Sequence, residues 1–363
     1  MIKGNKGEWS EFYAFIKLLA EGHIYAADKN LNKNEDIFYK VLKIIRGNTE
    51  DLEYIRNEKI LIQNSEGELI SELSVEETLA ISQQFYEGIS EGRTGERAFN
   101  LDFAEAVLEK FHTDSLSDDR VQTADIRVVI HDPITQYEPL LGFSIKSYIG
   151  GKPTLFNASK NSNIIYKIEP DVDDVTVKMV NELPSYGARV KYLKDNGYML
   201  YYHSMNSNIF KTNLELIDSK LPEILAQLVL SSYWESKSKI PVLVDHLAIS
   251  NPCQFDLELN ADFYKYKIKR LLIDAALGMK AGKVWSGTFN ANGGYIIVRK
   301  DGDLVCYHIY NWNDFQEFLL AHTKIDYPDS NPHRCDYGTI LSPSVVNEDF
   351  GSYIKLNFQI RFT

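Results

Sequence analysis

Hydrophobic residues near the start of the chain recur at helical spacing. One face of the segment 8–21 is lined by Phe12, Phe15, Ile16 and Leu19. This i, i+3, i+4, i+7 pattern is typical of an amphipathic helix, and Gly22 directly after it favours a helix end. We therefore predict a first helix that buries an aromatic face and ends before Gly22.

Shorter hydrophobic runs follow and predict both strands and helices. A small antiparallel meander is expected from the runs 24–26, 37–45 and 59–73, the last with a turn at 64–67. Two helices are expected at about 75–89 and 100–111. Extended segments are predicted at 121–130, 140–148 and 164–168.

The C-terminal half shows long helical patterns and then β-rich sequence. Helices are predicted at about 210–234 and 264–279. The runs 293–298 and 304–309 flank an Asp-Gly turn at 300–303, which predicts a β-hairpin. Neither an internal repeat nor a linker rich in Pro, Gly or Ser is visible. We therefore expect the parts to pack continuously.

The composition is that of an ordinary globular chain. The 363 residues are 44% hydrophobic and 25% charged, which excludes disordered and low-complexity classes. At roughly 150 residues per domain, this length predicts about two domains or one large one. No apolar run is long enough for a membrane helix or a signal peptide, so a cytoplasmic location is expected. Three widely spaced cysteines predict reduced thiols.

The net charge of −12 speaks against nucleic acid as a partner, because phosphate neutralisation needs Lys and Arg. Local charge is the better guide. The segment 262–283 contains six basic and two acidic residues, a net charge of +4. A basic face can therefore exist on this acidic protein.

Two neighbouring predicted strands carry the strongest candidate chemistry. Asp125 lies in the first strand, and Ser144 and Lys146 share one face of the second. If the strands pair, the acid and the lysine meet on one face. One interpretation is a surface ion pair worth at most about 1 kcal/mol. The other is a phosphodiester hydrolase, in which Asp125 binds Mg²⁺ and Lys146 activates water and stabilises charge on phosphorus.

The same residues resemble a known nuclease signature. An Asp on one strand and acid-x-Lys on the next is typical of the PD-(D/E)xK superfamily, here as Ala124-Asp125 and Ser144-Ile145-Lys146. Longer strings are similar to the HpaII-type family of restriction endonucleases: GNKGEWSE at 4–11, GFSIKS at 142–147, TLFNAS at 154–159 and KLNFQIRF at 355–362. The resemblance spans nearly the whole chain. It implies a type II enzyme that cuts double-stranded DNA with Mg²⁺, with CCGG as the namesake's site.

One departure from the superfamily pattern concerns the second metal ligand. Ser144 stands where an acid is expected, so another carboxylate must come from elsewhere. The candidates are Glu8, Glu11, Glu105, Glu109 and Glu169. The resemblance favours a glutamate of the N-terminal helix, and we choose Glu11. The competing interpretation is a solvated first-turn carboxylate, favoured there by the helix dipole.

Other polar residues are candidates for DNA contacts. Asn157 and Asn163 follow the strand pair and are suited to phosphate or base edges, although loop asparagines commonly serve turns. Lys265, Lys269 and Lys283 lie in the basic segment and are suited to the DNA backbone, although charge runs are commonly solvated faces.

The sequence thus predicts an α/β fold with a PD-(D/E)xK restriction-endonuclease-like core, a mixed sheet flanked by helices, and β-rich N- and C-terminal elaborations. Residues 1–205 are expected to form the nuclease core and 206–363 the DNA-contacting region.

The expected function is a Mg²⁺-dependent type II restriction endonuclease of a restriction-modification system. Its catalytic residues would be Asp125, Lys146, Ser144 and Glu11, with Asp125 and Glu11 as metal ligands. A cognate methyltransferase is expected without a stable complex, and monomer and homodimer both stay open. The alternative is a sequence-specific DNA-binding protein with a degenerate nuclease core.

Overall fold

The computed structural model describes residues 2–47, 51–92, 98–117, 124–133, 135–308, 311–331 and 333–363. The chain forms two compact units. The first unit contains residues 1–153 and 289–318, and the second contains 154–288 and 319–363. The chain therefore leaves the first unit, builds most of the second, and returns. The division predicted at residue 205 coincides with none of the three boundaries, at 153/154, 288/289 and 318/319, and the functions assigned to its two parts stay predictions.

The first unit is built on a nine-stranded mixed sheet. Its strands are β1 (His23–Ala27), β2 (Lys33–Arg46), β3 (Leu52–Arg56), β4 (Ile60–Asn64), β5 (Leu69–Leu73), β6 (Ile126–His131), β7 (Leu140–Ser147), β11 (Gly294–Val298) and β12 (Leu304–His308). They lie in the order β1-β12-β11-β7-β6-β2-β3-β4-β5. The pairs β1–β12 and β7–β11 are parallel and the others antiparallel, which confirms the predicted mixed sheet.

Helices complete the hydrophobic core of the first unit together with this sheet. They are α1 (Lys6–Glu21), α2 (Val75–Glu91) and α3 (Ala104–Lys110), while α10 (Trp312–Ala321) carries the chain towards the second unit. The aromatic face of α1 is fully buried, as predicted, and Trp9, Phe12 and Phe15 belong to the main hydrophobic core. Gly22 ends α1 with φ +69°, and its N–H donates to the Leu18 carbonyl. The periodicity of the sequence therefore placed this helix correctly.

The second unit combines helices with two small sheets. Its strands are β8 (Thr154–Phe156), β9 (Ile164–Glu169), β10 (Met199–Met205), β13 (Thr323–Asp326), β14 (Ile340–Leu341), β15 (Ser352–Leu356) and β16 (Gln359–Phe362). Its helices are α4 (Asp174–Glu182), α5 (Tyr186–Asp195), α6 (Asn208–Ile217), α7 (Leu221–Glu235), α8 (Ile240–Ser250) and α9 (Phe263–Ala276). One sheet has the order β10-β9-β15-β14 and the other β13-β16-β8.

Two predicted helices differ from those observed. The single helix expected at 210–234 is wrong, because Asp218 adopts extended backbone and separates α6 from α7. Pro222, at the start of α7, lacks the N–H that would continue a helix from α6. The helix expected at 100–111 is shorter, since Leu101 accepts a turn hydrogen bond from Ala104 before α3 begins.

Most predicted strands are present, with shifted ends. The meander, the extended segments at 140–148 and 164–168, and the hairpin around Gly302 all correspond to observed strands. Residues 121–123 of one predicted strand, and Ile309 of another, lie outside the described residues. The three cysteines, Cys253, Cys306 and Cys335, are buried and free, as predicted. Within the described chain, no helix is long and apolar enough to cross a membrane.

Candidate active site

The candidate site begins at the antiparallel pair of β6 and β7. The Asp125 N–H, one residue before β6, donates to the Phe143 carbonyl at 2.8 Å. The register pairs Ile126 with Phe143, which places Asp125 opposite Ser144. Phe143 and Ile145 point into the hydrophobic core, so Ser144 and Lys146 lie on the other face by alternation. The predicted hairpin therefore exists and brings Asp125 beside the Ser-x-Lys sequence.

Two donors hold the carboxylate of Asp125. The Ser144 Oγ donates to Asp125 Oδ2 at 2.8 Å, and the Ile145 N–H donates to the same oxygen at 2.6 Å. Ser144 is 5% exposed, so its hydroxyl is positioned inside the protein. Among the described residues, no donor contacts Oδ1 of Asp125. The arrangement fixes one oxygen and leaves the other available.

The close approach of two chain segments explains why Gly142 precedes this motif. A Cβ atom at Gly142 would lie 2.7 Å from the Asn290 carbonyl oxygen and 2.8 Å from the Ala124 Cβ. Its N–H donates to Asn292 Oδ1 at 2.8 Å. A side chain at position 142 would therefore displace the segment leading to Asp125 or the one leading to β11.

Lys146 lies over an aromatic ring that the sequence did not reveal. Its Nζ is 5.5 Å from the centroid of the Tyr295 ring on β11. Parallel pairing of β7 and β11 places Tyr295 beside Ser144. Burial, and then the negative charge of Asp125, raises the pKa of the Tyr295 hydroxyl well above its ordinary value. Tyr295 is thus a wall of the same site, and it orients the ammonium group through a cation–π contact.

Glu11 brings a second carboxyl group from α1. Burial, and then the negative charge of Asp125, raises its pKa from 4.5 to about 8. The positive charges of Lys146 and of Arg46 act in the opposite direction. Arg46 is itself buried, with its guanidinium 5.0 Å from the centroids of the Phe12 and Phe15 rings. The charges of Glu11, Asp125 and Lys146 therefore interact across the helix and the strand pair.

The other candidate glutamates have different surroundings. Glu8 closes a capping box, in which its Oε2 accepts from the Asn5 N–H at 2.7 Å. Glu105 and Glu109 are exposed on α3. Glu169 belongs to the second unit, where it pairs with Lys167 at 2.8 Å. Glu11 is the candidate whose pKa is raised by burial and by the charge of Asp125.

The donor set suits a small, hard divalent cation. Mg²⁺ prefers oxygen ligands and usually takes one or two carboxylates from the protein. Asp125 offers its Oδ1, and the repulsion between its charge and that of Glu11 is what a bound cation would relieve. The described residues contain no group of three His, Cys, Asp or Glu side chains suited to a metal. The fit therefore rests on the two carboxylates.

The predicted DNA contacts all lie in the second unit. Asn157 and Lys283 are exposed on loops, while Lys265 and Lys269 are partly buried on α9. Asn163 is different, because it is 1% exposed.

The amide of Asn163 is used inside the protein. It donates to the Cys335 carbonyl at 2.7 Å and the Asp336 carbonyl at 3.2 Å, and it accepts from Asn357. These are the contacts of a structural residue, and they disagree with the predicted DNA contact. Sequence alone could not distinguish it from the exposed Asn157, because both occur in the same polar stretch.

Comparison with known proteins gives one consistent result. The family model described as HpaII restriction endonuclease matches residues 5–362. The chain is 40% identical over 367 aligned residues to the type II restriction enzyme HpaII of Haemophilus parainfluenzae, covering 99% of both chains. No solved structure matches. With the family model and this relative both spanning almost its full length, the chain belongs to the HpaII restriction endonuclease family, a family of type II restriction enzymes.

Proposed function

We propose that this enzyme is a Mg²⁺-dependent endonuclease that hydrolyses phosphodiester bonds of double-stranded DNA at CCGG. Its core would be of the PD-(D/E)xK type in a Ser-x-Lys form. The supporting observation is the strand pair that holds Asp125 beside Ser144 and Lys146, with the charges of Asp125 and Lys146 acting on the pKa of Glu11 on α1. The proposed recognition sequence, CCGG, comes from the resemblance of this chain to the enzyme after which the family is named.

In this proposal each residue has a defined task. Asp125 and Glu11 hold the metal, and the hydrogen bonds from Ser144 and Ile145 keep the Asp125 carboxylate oriented. When bound, Mg²⁺ supplies positive charge that polarises the phosphoryl group and offsets its developing negative charge. Lys146 orients the attacking water by hydrogen bonding and stabilises the same charge in the transition state.

Replacement of the two strand residues tests the proposal. Lys146→Ala and Asp125→Asn should each reduce the cleavage rate by orders of magnitude while keeping the fold and most DNA affinity, since both act mainly on the transition state. Cleavage is measured on supercoiled plasmid with Mg²⁺, and fragment ends are mapped against every CCGG. Lys40→Ala, an exposed lysine on β2, is the matched control and should cut normally.

Each result has a clear consequence. If Lys146→Ala or Asp125→Asn cuts at a near wild-type rate, the strand pair is not the active site. If the unmodified protein binds a CCGG duplex but never opens the plasmid with Mg²⁺, the chain is a DNA-binding protein with a degenerate nuclease core. If fragment ends map to another sequence, the proposed specificity is wrong and the nuclease assignment stands.

A further inference from the structure

Acidic residues are absent from two long stretches of this acidic chain. None occurs between Glu138 and Glu169, nor between Asp274 and Asp301. The parts of these stretches in the second unit contain a loop at 157–163, which includes a short 3₁₀ helix at Lys160–Ser162, and a loop at 280–285. Because phosphate groups are repelled by carboxylates and attracted by lysines, acid-free loops are the parts of this molecule best suited to DNA.

Hydrogen bonds from the buried Asn357 and the exposed Asn206 hold the 157–163 loop in one shape. The Asn357 amide, which is 0% exposed, donates to the Ser159 carbonyl at 2.8 Å, and its Oδ1 accepts from Ser162 at 3.1 Å. Asn206 Nδ2 donates to the Lys160 carbonyl at 3.1 Å. The side chains of Lys160 and Asn161 are left exposed on this fixed backbone.

A single buried asparagine holds the 280–285 loop. Asn213, 1% exposed on α6, donates to the carbonyls of Lys280 at 3.0 Å and Lys283 at 2.8 Å. Its Oδ1 accepts from the Trp285 N–H at 3.1 Å. The lysine side chains are exposed, and Val284 between them and Trp285 is 82% exposed. A buried side chain thus uses three hydrogen bonds to fix a loop whose two lysines and Val284 face solvent.

The two loops touch. A Cβ atom at Gly282 would lie 2.8 Å from Asn161 Nδ2, so the amide of Asn161 lies against the backbone of the 280–285 loop. The pair forms one surface that carries three exposed lysines and an exposed amide without any carboxylate of its own. Rigid loops lose little conformational entropy on binding, which favours specific contacts.

We propose that these two loops are a DNA-binding surface, with Lys160, Lys280 and Lys283 on backbone phosphates and Asn161 on a base edge. This inference rests on the proposed function, because it assigns where the duplex is held. Lysines suit phosphate as point charges, while the amide of asparagine offers the paired donor and acceptor that reads base edges. Asn213 is then a positioning residue, since it acts on DNA only through the loop that it holds.

The lysines are tested by binding without cleavage. Fluorescence anisotropy with a CCGG duplex in EDTA gives Kd over a range of salt concentrations. Each of Lys160→Ala, Lys280→Ala and Lys283→Ala should make the negative slope of the logarithm of the association constant against log salt shallower by about 0.9. Each should also raise Kd roughly fivefold to tenfold at 0.1 M salt. Lys178→Ala, an exposed lysine on α4, is the control and should change neither.

The amide is tested by the preference for CCGG over a scrambled duplex. Asn161→Ala should reduce this preference about tenfold while leaving the salt slope unchanged, since a base contact carries no counterion release. Gly282→Ala should act in the same direction, because the added methyl group displaces the Asn161 amide and removes no charge.

The outcomes separate this inference from the proposed function. Wild-type affinity and slope in all three lysine variants would overturn the binding surface, while normal plasmid cleavage would leave the nuclease assignment intact. Unchanged preference in both Asn161→Ala and Gly282→Ala would overturn the role of the amide. If the unmodified protein binds no duplex at all, the proposed function itself fails.

Discussion

At the scale of single residues, the carboxyl group of Glu11 determines how the candidate site responds to pH. Glu11 is partly buried, and its pKa of about 8 means that it keeps its proton near neutrality unless a cation is bound. Its ordinary value near 4.5 applies in the unfolded chain. Between these two values the folded protein holds a proton that the unfolded chain has released, so the free energy of unfolding falls as pH rises.

We predict that Glu11→Gln removes this pH dependence. The contribution of Glu11 to stability is complete below about pH 4.5 and lost as pH rises through about 8. In EDTA, Glu11→Gln should therefore gain stability relative to the parent between pH 5 and pH 8.5, and it should lose cleavage with Mg²⁺. Urea unfolding at three pH values measures the difference, with Glu8→Gln as the control. If the free energy of unfolding of Glu11→Gln varies with pH as it does in the parent, Glu11 does not have the raised pKa of a buried carboxyl group.

At the scale of elements, α1 carries Glu11 and packs against β7, and its N-terminus is capped by Asn5. Asn5 Oδ1 accepts from the N–H groups of Gly7 at 2.8 Å and Glu8 at 3.1 Å. These bonds satisfy two of the donors that every helix leaves unpaired at its start. Trp9 and Phe12 then anchor the helix in the core.

Removal of the Asn5 side chain that caps α1 should lower the stability of the protein and leave its cleavage activity largely unchanged. Asn5→Ala is expected to lower the free energy of unfolding by about 1 kcal/mol, and Asn5→Ser, which keeps a capping oxygen, by much less. Cleavage at 25 °C should persist in both, because core packing still holds Glu11. Urea unfolding measures the first effect and plasmid cleavage the second. Loss of cleavage with unchanged stability would show instead that Asn5 belongs to the site.

At the scale of the whole molecule, the effect of the net charge of −12 on stability must be separated experimentally from the effect of the proposed cation site. Any salt screens the self-repulsion of an acidic protein, so a stabilising effect of MgCl₂ alone is not evidence of binding. Specific binding adds RT ln(1 + [L]/Kd), which is about 2.7 kcal/mol at a hundredfold excess over Kd. It also requires that Glu11 lose its proton.

We therefore predict a pH-dependent thermal shift. At pH 8, MgCl₂ should raise the melting temperature above that in NaCl of equal ionic strength, and at pH 5.5 the difference should nearly vanish because Glu11 is protonated. Asp125→Asn should abolish the difference at both pH values. Equal shifts from the two salts at pH 8 would argue against a magnesium site on these carboxylates.

The sequence by itself determined the local features. The spacing of Phe12, Phe15 and Leu19 placed α1, and Gly22 placed its end, because helix periodicity and termination depend on neighbouring residues. Strand alternation likewise placed Ser144 and Lys146 on one face. The family was also readable from the sequence, since its motifs are continuous strings.

Only the tertiary structure decided which distant groups meet. Tyr295 lies beside Lys146 because β11 pairs in parallel with β7, a long-range choice that no local pattern encodes. The pKa of Glu11 is raised because burial and the charge of Asp125 depend on how α1 packs against the sheet. Asn163 became a buried structural amide although its sequence resembles an exposed loop. Burial and electrostatic fields are sums over the packed molecule, and therefore the chain acquires them only when it folds.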